Sequence, residues 1–210
     1  VVNSKGLYSI ENYLMARRLM YWQVYLHKTT VSSEKVLVNA LLRAKQLAHE
    51  GKDIFATPCL KYFLYNDVGA ETFKNDEEAQ HNYALLDDND IWSAIKVWIY
   101  NDDKVLSLLS ADLLNRKLFK VEISGTPIDE ERTEGIKAKL ANKFGISKEE
   151  AEYLISVDTI QKDMYDVHDD HITILFKDNT LKDISEASEV MNIALLSKKI
   201  RKYYLCYQRF

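Results

Sequence analysis

Six glycines and two prolines are all the backbone punctuation that 210 residues carry. Glycine and proline end helices and open turns, so a chain this poor in both must run through long helices wherever its apolar residues recur at helical spacing. The first such stretch spans Tyr8 to Lys28. At about 100° per residue, Met15, Leu19, Trp22 and Leu26 share an apolar stripe expected to face the core. Arg17, Tyr21, Tyr25 and Lys28 line the nearly opposite side. An amphipathic helix needs only the first stripe. The second interleaves cationic heads with amphipathic rings, which suits a ligand that is anionic at one end and flat at the other. Its alternative is a helix buried on both sides, with hydroxyls and guanidinium satisfied by neighbouring carboxylates.

Further along, Val31-Ser32-Ser33 offers a cap for a second helix, whose Leu37, Val38, Leu41, Ala44, Leu47 and Ala48 lead to a stop at Gly51. Lys61 to Asp67 reads as a short helix or connector, and the polar run from Thr72 to Ala84 as a surface loop with a turn. Asp87-Asp88-Asn89-Asp90 has the letters of a metal chelate. Its place just before Ile91, Ala94, Ile95 and Trp98 makes it a helix start, and it lacks the glycine and distal glutamate of a calcium loop. Asn101-Asp102-Asp103 opens the next helix in the same way. Near Asn115 to Phe119 the pattern changes: Leu118 to Ser124 alternates as a strand, Gly125-Thr126-Pro127 breaks it, and Glu130 to Phe144 is an amphipathic helix ended by Gly145. Ser147-Lys-Glu-Glu150 is a capping box for a helix through Leu154. His171 to Lys177 alternates, Asp178-Asn179 turns it toward Thr180 to Asp183, a helix runs from Ala187 to Leu196, and Tyr203 to Gln208 is a final strand. The expected fold is mainly α with a C-terminal α+β lobe, a helical region over 1–116 followed by a small sheet packed with helices over 117–210.

A composition of 47% hydrophobic and 29% charged residues describes a globular chain. With a net charge of -4 there is no global pull toward nucleic acid or anionic membrane, so a polyanion must be held by a local patch. Cys59 and Cys206 are too few for a disulfide scaffold, which favours a reducing, cytoplasmic compartment. No apolar run approaches the roughly 20 residues that span a bilayer. The basic cluster Lys198, Lys199, Arg201 and Lys202 reads as a solvated helix end, and Tyr203, Tyr204, Tyr207 and Phe210 as core packing beneath a sheet.

Taken in order, Tyr21-x-x-Val24-Tyr25-x-His27-Lys28, the acidic Leu85-Leu-Asp-Asp-x-Asp-Ile91 segment, Asn115-Arg116-x-Leu118-Phe119-Lys120 and the terminal Lys202-Tyr-Tyr-Leu-Cys-Tyr207 resemble one family. It is the C-terminal half of the HD-superfamily phosphohydrolases that act on deoxynucleoside triphosphates, the dGTPase and SAM-and-HD-domain group, in its bacterial form. The resemblance implies that Arg17 pairs with the triphosphate, that Tyr21 stands where relatives place a polar pocket residue, that Tyr25 packs on the deoxyribose and that Lys28 sits at the pocket's edge. It implies for Arg116 and Lys120 a contact with a regulatory nucleotide between subunits, and a homo-oligomer. His27, off the stripe, is read as a residue that packs or supports the pocket from behind, not as a ligand.

In that family a His…His-Asp…Asp quartet holds a divalent metal of the magnesium, manganese, iron or zinc kind. None of His27, His49, His81, His168 and His171 falls in such an arrangement, and Asp166-x-His168-Asp169-Asp170-His171 is read as a solvated turn. The chain also opens on Val1 rather than Met, so an upstream segment carrying the metal is expected. The resulting expectation is the C-terminal part of a metal-dependent dGTP-like triphosphohydrolase, inactive by itself, with no catalytic or metal-binding residue of its own. The alternative is a non-catalytic nucleotide-binding or assembly module.

Overall fold

The computed structural model describes residues 1–162, 171–188 and 200–210. Three expectations fall outside them: the His168-Asp169 turn, most of the helix to Leu196, and Lys198 with Lys199. The chain is mostly helical, with a small sheet of C-terminal strands packed against helices. It divides into two compact units, one of residues 1–30, 123–127 and 158–204, the other of 31–122, 128–157 and 205–210.

In the first unit, β1 (Val2–Asn3) pairs in parallel with β4 (Thr173–Leu175), which pairs antiparallel with β5 (Leu181–Asp183). Asn179, at φ 65°, makes the turn between β4 and β5. A single 3₁₀ turn, Ser4–Gly6, leads into α1 (Leu7–Met20). Leu7 and Leu14 of α1 pack with Ile174, Ile184 and Ala187, the last two on the one-turn helix α10 (Ile184–Ala187). The core face of α1 is therefore not the expected one. Leu19 is 48% exposed, whereas Leu7, Glu11 and Leu14 are buried, a stripe turned by about a quarter turn from Met15, Leu19, Trp22 and Leu26. A carboxylate in the buried stripe hid it. Glu11 is tolerated there because the Ser188 hydroxyl donates to its Oε1.

The second unit begins in α2 (Lys28–His49). That helix starts before the expected Val31-Ser32-Ser33 cap: His27 Nδ1 accepts the amide of Thr29 at 3.2 Å and does the capping. Ser32 is instead buried, its hydroxyl donating to the Phe119 carbonyl at 3.0 Å. The helix ends as expected at Gly51, φ 82°, where Gly51 N–H bonds Ala48 O and Lys52 N–H bonds Leu47 O, both at 3.0 Å. Next come α3 (Pro58–Tyr65), α4 (Ala70–Asn75) and α5 (Glu77–Leu85). The last two replace the expected loop over Thr72 to Ala84. Their polar sequence has almost no apolar stripe, and tertiary anchors hold them: buried Ala79, edge-on ring contacts of Tyr83 with Phe63 and Phe73, and Asp76, which caps α5 and accepts the Tyr62 hydroxyl at 2.8 Å.

The acid runs open helices as their position implied. Asp87 and Asp90 form a capping box on α6 (Asp88–Trp98), and Asp103 caps α7 (Lys104–Leu114). Strand β2 (Lys120–Ser124), α8 (Glu130–Phe144), the αL stop at Gly145 and the Ser147 capping box of α9 (Lys148–Ala151) follow, a 3₁₀ turn carrying the helix through Leu154. Then comes a strand absent from the expectation, β3 (Ile155–Lys162). Asn39 secures its entry, Nδ2 donating to the Tyr153 carbonyl at 2.8 Å and to Ser156 Oγ at 3.1 Å. β2, β6 (Ile200–Tyr207) and β3 form a sheet in that order. Tyr204 and Tyr207 are buried in keeping with core packing, whereas Phe210 is 56% exposed. Cys59 and Cys206 are both buried thiols.

Candidate functional site

The residues of the second stripe lie at the end of α1. The α-helix stops at Met20, and Tyr21–Tyr25 form one turn of π-helix closed by Leu26 N–H on the Tyr21 carbonyl at 2.8 Å. A π-turn spaces residues about 4.4 to the turn, so side chains four apart stay close to one line. The Tyr21 and Tyr25 rings meet at 5.2 Å, tilted by 38°, and the Arg17 guanidinium lies over the Tyr21 ring at 5.8 Å. Sequence spacing and structure thus agree on a contiguous Arg17–Tyr21–Tyr25 line. Lys28 departs from it: the chain turns at Leu26 and His27, and Lys28 is the first residue of α2.

The Arg17 side chain is exposed and so is Tyr25, while Tyr21 is half-buried. A guanidinium resting on a ring face keeps its N–H edge available, the edge that forks onto phosphate or carboxylate oxygens. The Thr30 hydroxyl donates to the Val24 carbonyl at 2.9 Å, fixing the turn that follows the tyrosines. Trp22, expected in the core, is half-buried beneath Lys202, whose Nζ stands 4.2 Å from its ring centre. Arg18 was missed. Its Nη1 is removed from solvent and has no hydrogen-bond partner among the described residues, a donor left open beside Arg17. The Arg-Arg pair in the last turn of α1 was its sequence signal, passed over because only Arg17 aligned with the tyrosines.

Arg116 and Lys120 belong to a different neighbourhood. Arg116 adopts φ 57° and stops α7, with Lys117 N–H bonding the Asp112 carbonyl at 2.8 Å. Lys120 Nζ lies 3.0 Å from Glu122 Oε1 and 5.4 Å from the Tyr207 ring centre; its side-chain bond to Tyr207 first, then Glu122, raises its pKa above the ordinary lysine value. Glu122 accepts the Tyr207 hydroxyl at 2.8 Å and also pairs with Arg132. The tyrosine hydroxyl first, then Lys120 and Arg132, pull its pKa down to about 2. Lys120 is therefore already engaged by a carboxylate. Among the described residues no three His, Cys, Asp or Glu side chains converge as a metal would require.

No protein-family model matches the chain. The crystal structure of a phosphohydrolase from Bacteroides thetaiotaomicron superposes on it with a TM-score of 0.93 at 55% identity, covering 100% of this chain and 52% of its own. This chain is similar to about half of a phosphohydrolase. An uncharacterized Bacillus subtilis protein, YwfO, is 35% identical over 120 residues, 57% of this chain and 26% of that protein. A hypothetical protein of Aquifex aeolicus, 22% identical with a TM-score of 0.51 over 100% of this chain and 44% of its own, shares the fold. The chain thus spans about half the length of the Bacteroides phosphohydrolase and about a quarter of the Bacillus protein. No helix of the described residues is long and apolar enough to cross a membrane.

Proposed function

We propose that this chain supplies the nucleotide-holding part of an HD-type phosphohydrolase acting on deoxynucleoside triphosphates, dGTP or a close relative. The observation that carries the reading is the Arg17–Tyr21–Tyr25 line. Arg17, splayed on the Tyr21 ring with its N–H edge open, is suited to fork onto triphosphate oxygens. Tyr25 offers an exposed ring face to a deoxyribose, whose bare 2′-carbon can approach closer than a ribose hydroxyl would allow. Lys28 and Arg18 add positive charge to the same segment of chain. The resemblance to a phosphohydrolase supports the hydrolytic class.

A divalent metal would supply the activated water in such an enzyme. The described residues do not fit one, so no step here runs through it. On this reading the metal ligands belong to the remaining half of a longer polypeptide, and this chain's share is binding, orientation and subunit contacts in a homo-oligomer. Arg116 and Lys120 stand in the same proposal as regulatory-nucleotide contacts, Lys120 exchanging Glu122 for phosphate.

The test compares the 210-residue chain with a version extended to the length of its phosphohydrolase relative, assayed for release of tripolyphosphate from each deoxynucleoside triphosphate with divalent metal. Turnover is expected only from the extended protein. Arg17→Ala should lower it by about a hundredfold, the loss of a charged bidentate contact, with the unfolding midpoint unchanged. Turnover by the isolated chain, or full activity in Arg17→Ala, overturns the proposal. The alternative reading is a binding or assembly module without chemistry. Saturable nucleotide binding by both proteins with turnover by neither would establish it.

A further inference from the structure

The second unit holds an open cleft of about 540 Å³, a size ordinary for small-ligand sites, that the nucleotide proposal does not use. It lies between the segment preceding α3 and the end of α6. Its floor is Trp98, 1% exposed, and its walls include Phe55, Val97 and Tyr100, which are 49, 41 and 84% exposed. Exposed apolar groups gathered around one concavity are unlike those scattered singly over a surface.

The wall is rigid although residues 52–57 form neither helix nor strand. The Trp98 indole donates to the Phe55 carbonyl at 2.9 Å. The Tyr65 hydroxyl accepts the Ile54 amide at 2.8 Å and donates to the Lys52 carbonyl at 2.9 Å. The wall is therefore held in place by buried Trp98 and half-buried Tyr65, and a ligand would not have to order it.

Its polar side chains are Lys61, Lys96, Asn101 and one carboxylate, Asp53. Lys96 has no partner among the described residues. Asn101, which also lines the cleft, uses Oδ1 to accept the Asp103 amide at 2.9 Å, so its amide nitrogen is the group it has left to donate. Lys61 is 3.6 Å from Asp53 at the rim, a loose pair between side chains that are 51 and 94% exposed. Two ammonium groups and an amide beside two exposed rings match one ligand chemistry.

We propose that this cleft binds a small planar ligand carrying one anionic group, an aromatic carboxylate or a phosphate monoester on a ring. The ring lies against Phe55 and Tyr100, and the anion takes Lys96, the Asn101 amide and Lys61.

Nuclear magnetic resonance of the labelled chain tests it, with the Trp98 indole N–H and the Asn101 side-chain amide as reporters. The probes are 5′-AMP, benzoate, adenosine and inorganic phosphate. At least one of AMP and benzoate should give saturable shifts confined to residues 53–61 and 96–101, which separates this cleft from α1. Lys96→Ala and Tyr100→Ala should each weaken that binding roughly tenfold, the worth of one charged or one ring contact. Both side chains are exposed, so thermal unfolding should be unchanged. Failure of both AMP and benzoate to saturate overturns the proposal, and so does wild-type binding by either variant. Equal binding of adenosine or of phosphate alone overturns it too, because ring and anion must act together.

Discussion

Two parallel bonds join the Arg43 guanidinium to the Asp103 carboxylate, Nε to Oδ1 at 3.1 Å and Nη2 to Oδ2 at 2.6 Å. Arg43 is 6% exposed and also reaches Glu150 Oε1 at 3.0 Å and Gln46 Oε1 at 2.9 Å, with the Tyr153 ring 5.5 Å away. Asp103 meanwhile caps α7 by accepting the Leu106 amide at 2.8 Å. One carboxylate thus ties α2 to the start of α7, and the guanidinium adds α9. Removing one member of a buried pair leaves the other desolvated and unpaired. Arg43→Ala should cost about 3–5 kcal/mol in urea unfolding. Arg43→Lys should recover only part of this, because an ammonium cannot fork. A loss under about 1 kcal/mol for Arg43→Ala would mean that water enters and screens Asp103.

Asp112 predicts the opposite sign. It is 5% exposed and accepts from Gln208 Nε2, whose own Oε1 has no partner among the described residues. Burial raises its pKa above the ordinary aspartate value, so the folded chain holds this proton more tightly than the unfolded one. Ionised Asp112 therefore subtracts stability above its folded pKa, and the penalty fades as pH falls toward the unfolded value. Asp112→Asn removes the charge and offers an N–H to Gln208 Oε1. It should stabilise the chain by about 1 kcal/mol at pH 7, with the gain shrinking toward pH ~3.5, read from paired thermal scans.

Helix boundaries were the legible part of the fold because their chemistry is local. Asp87, Asp103 and Ser147 cap helices through amides two or three residues away, and Gly51 and Gly145 stop them with a positive φ. What was not legible depended on distant partners. Glu11 disguises the core stripe of α1 until Ser188 is brought to it, and α4 and α5 need the rings of Phe63 and Phe73 around Tyr83. In the candidate site the Arg17–Tyr21–Tyr25 line was legible because four-residue spacing survives a switch from α to π turns. Lys28 was misplaced because nothing in its neighbours announces that His27 will cap a new helix.

Glu122 behaves as a conventional paired carboxylate. The Tyr207 hydroxyl, Lys120 and Arg132 lower its pKa from 4.5 to about 2. A depressed folded pKa means stability that is fully present above pH 4.5 and is lost as pH falls toward 2. Glu122→Gln should therefore lower the unfolding midpoint at pH 7 and approach the parent as the buffer is taken from pH 5 to about pH 3. A gap of constant size across that range would assign the effect to packing of the β2–β6 contact instead of to charge.

Arg116 sets stability against function. It stops α7 at φ 57° with its N–H on the Leu113 carbonyl at 3.3 Å and the following N–H on Asp112 O, the arrangement that Gly51 makes after α2. A side chain in this conformation costs about 1 kcal/mol that glycine avoids, less what glycine loses through a freer unfolded chain. Arg116→Gly should accordingly be neutral or up to about 1 kcal/mol more stable, whereas Arg116→Ala keeps the strain and gains nothing. If Arg116 meets a regulatory nucleotide, both variants of the extended protein should also lose nucleotide-stimulated turnover. A glycine variant that is stabler yet unresponsive would show the arginine to be there for the ligand. One that is less stable would show that the side chain supports the turn itself.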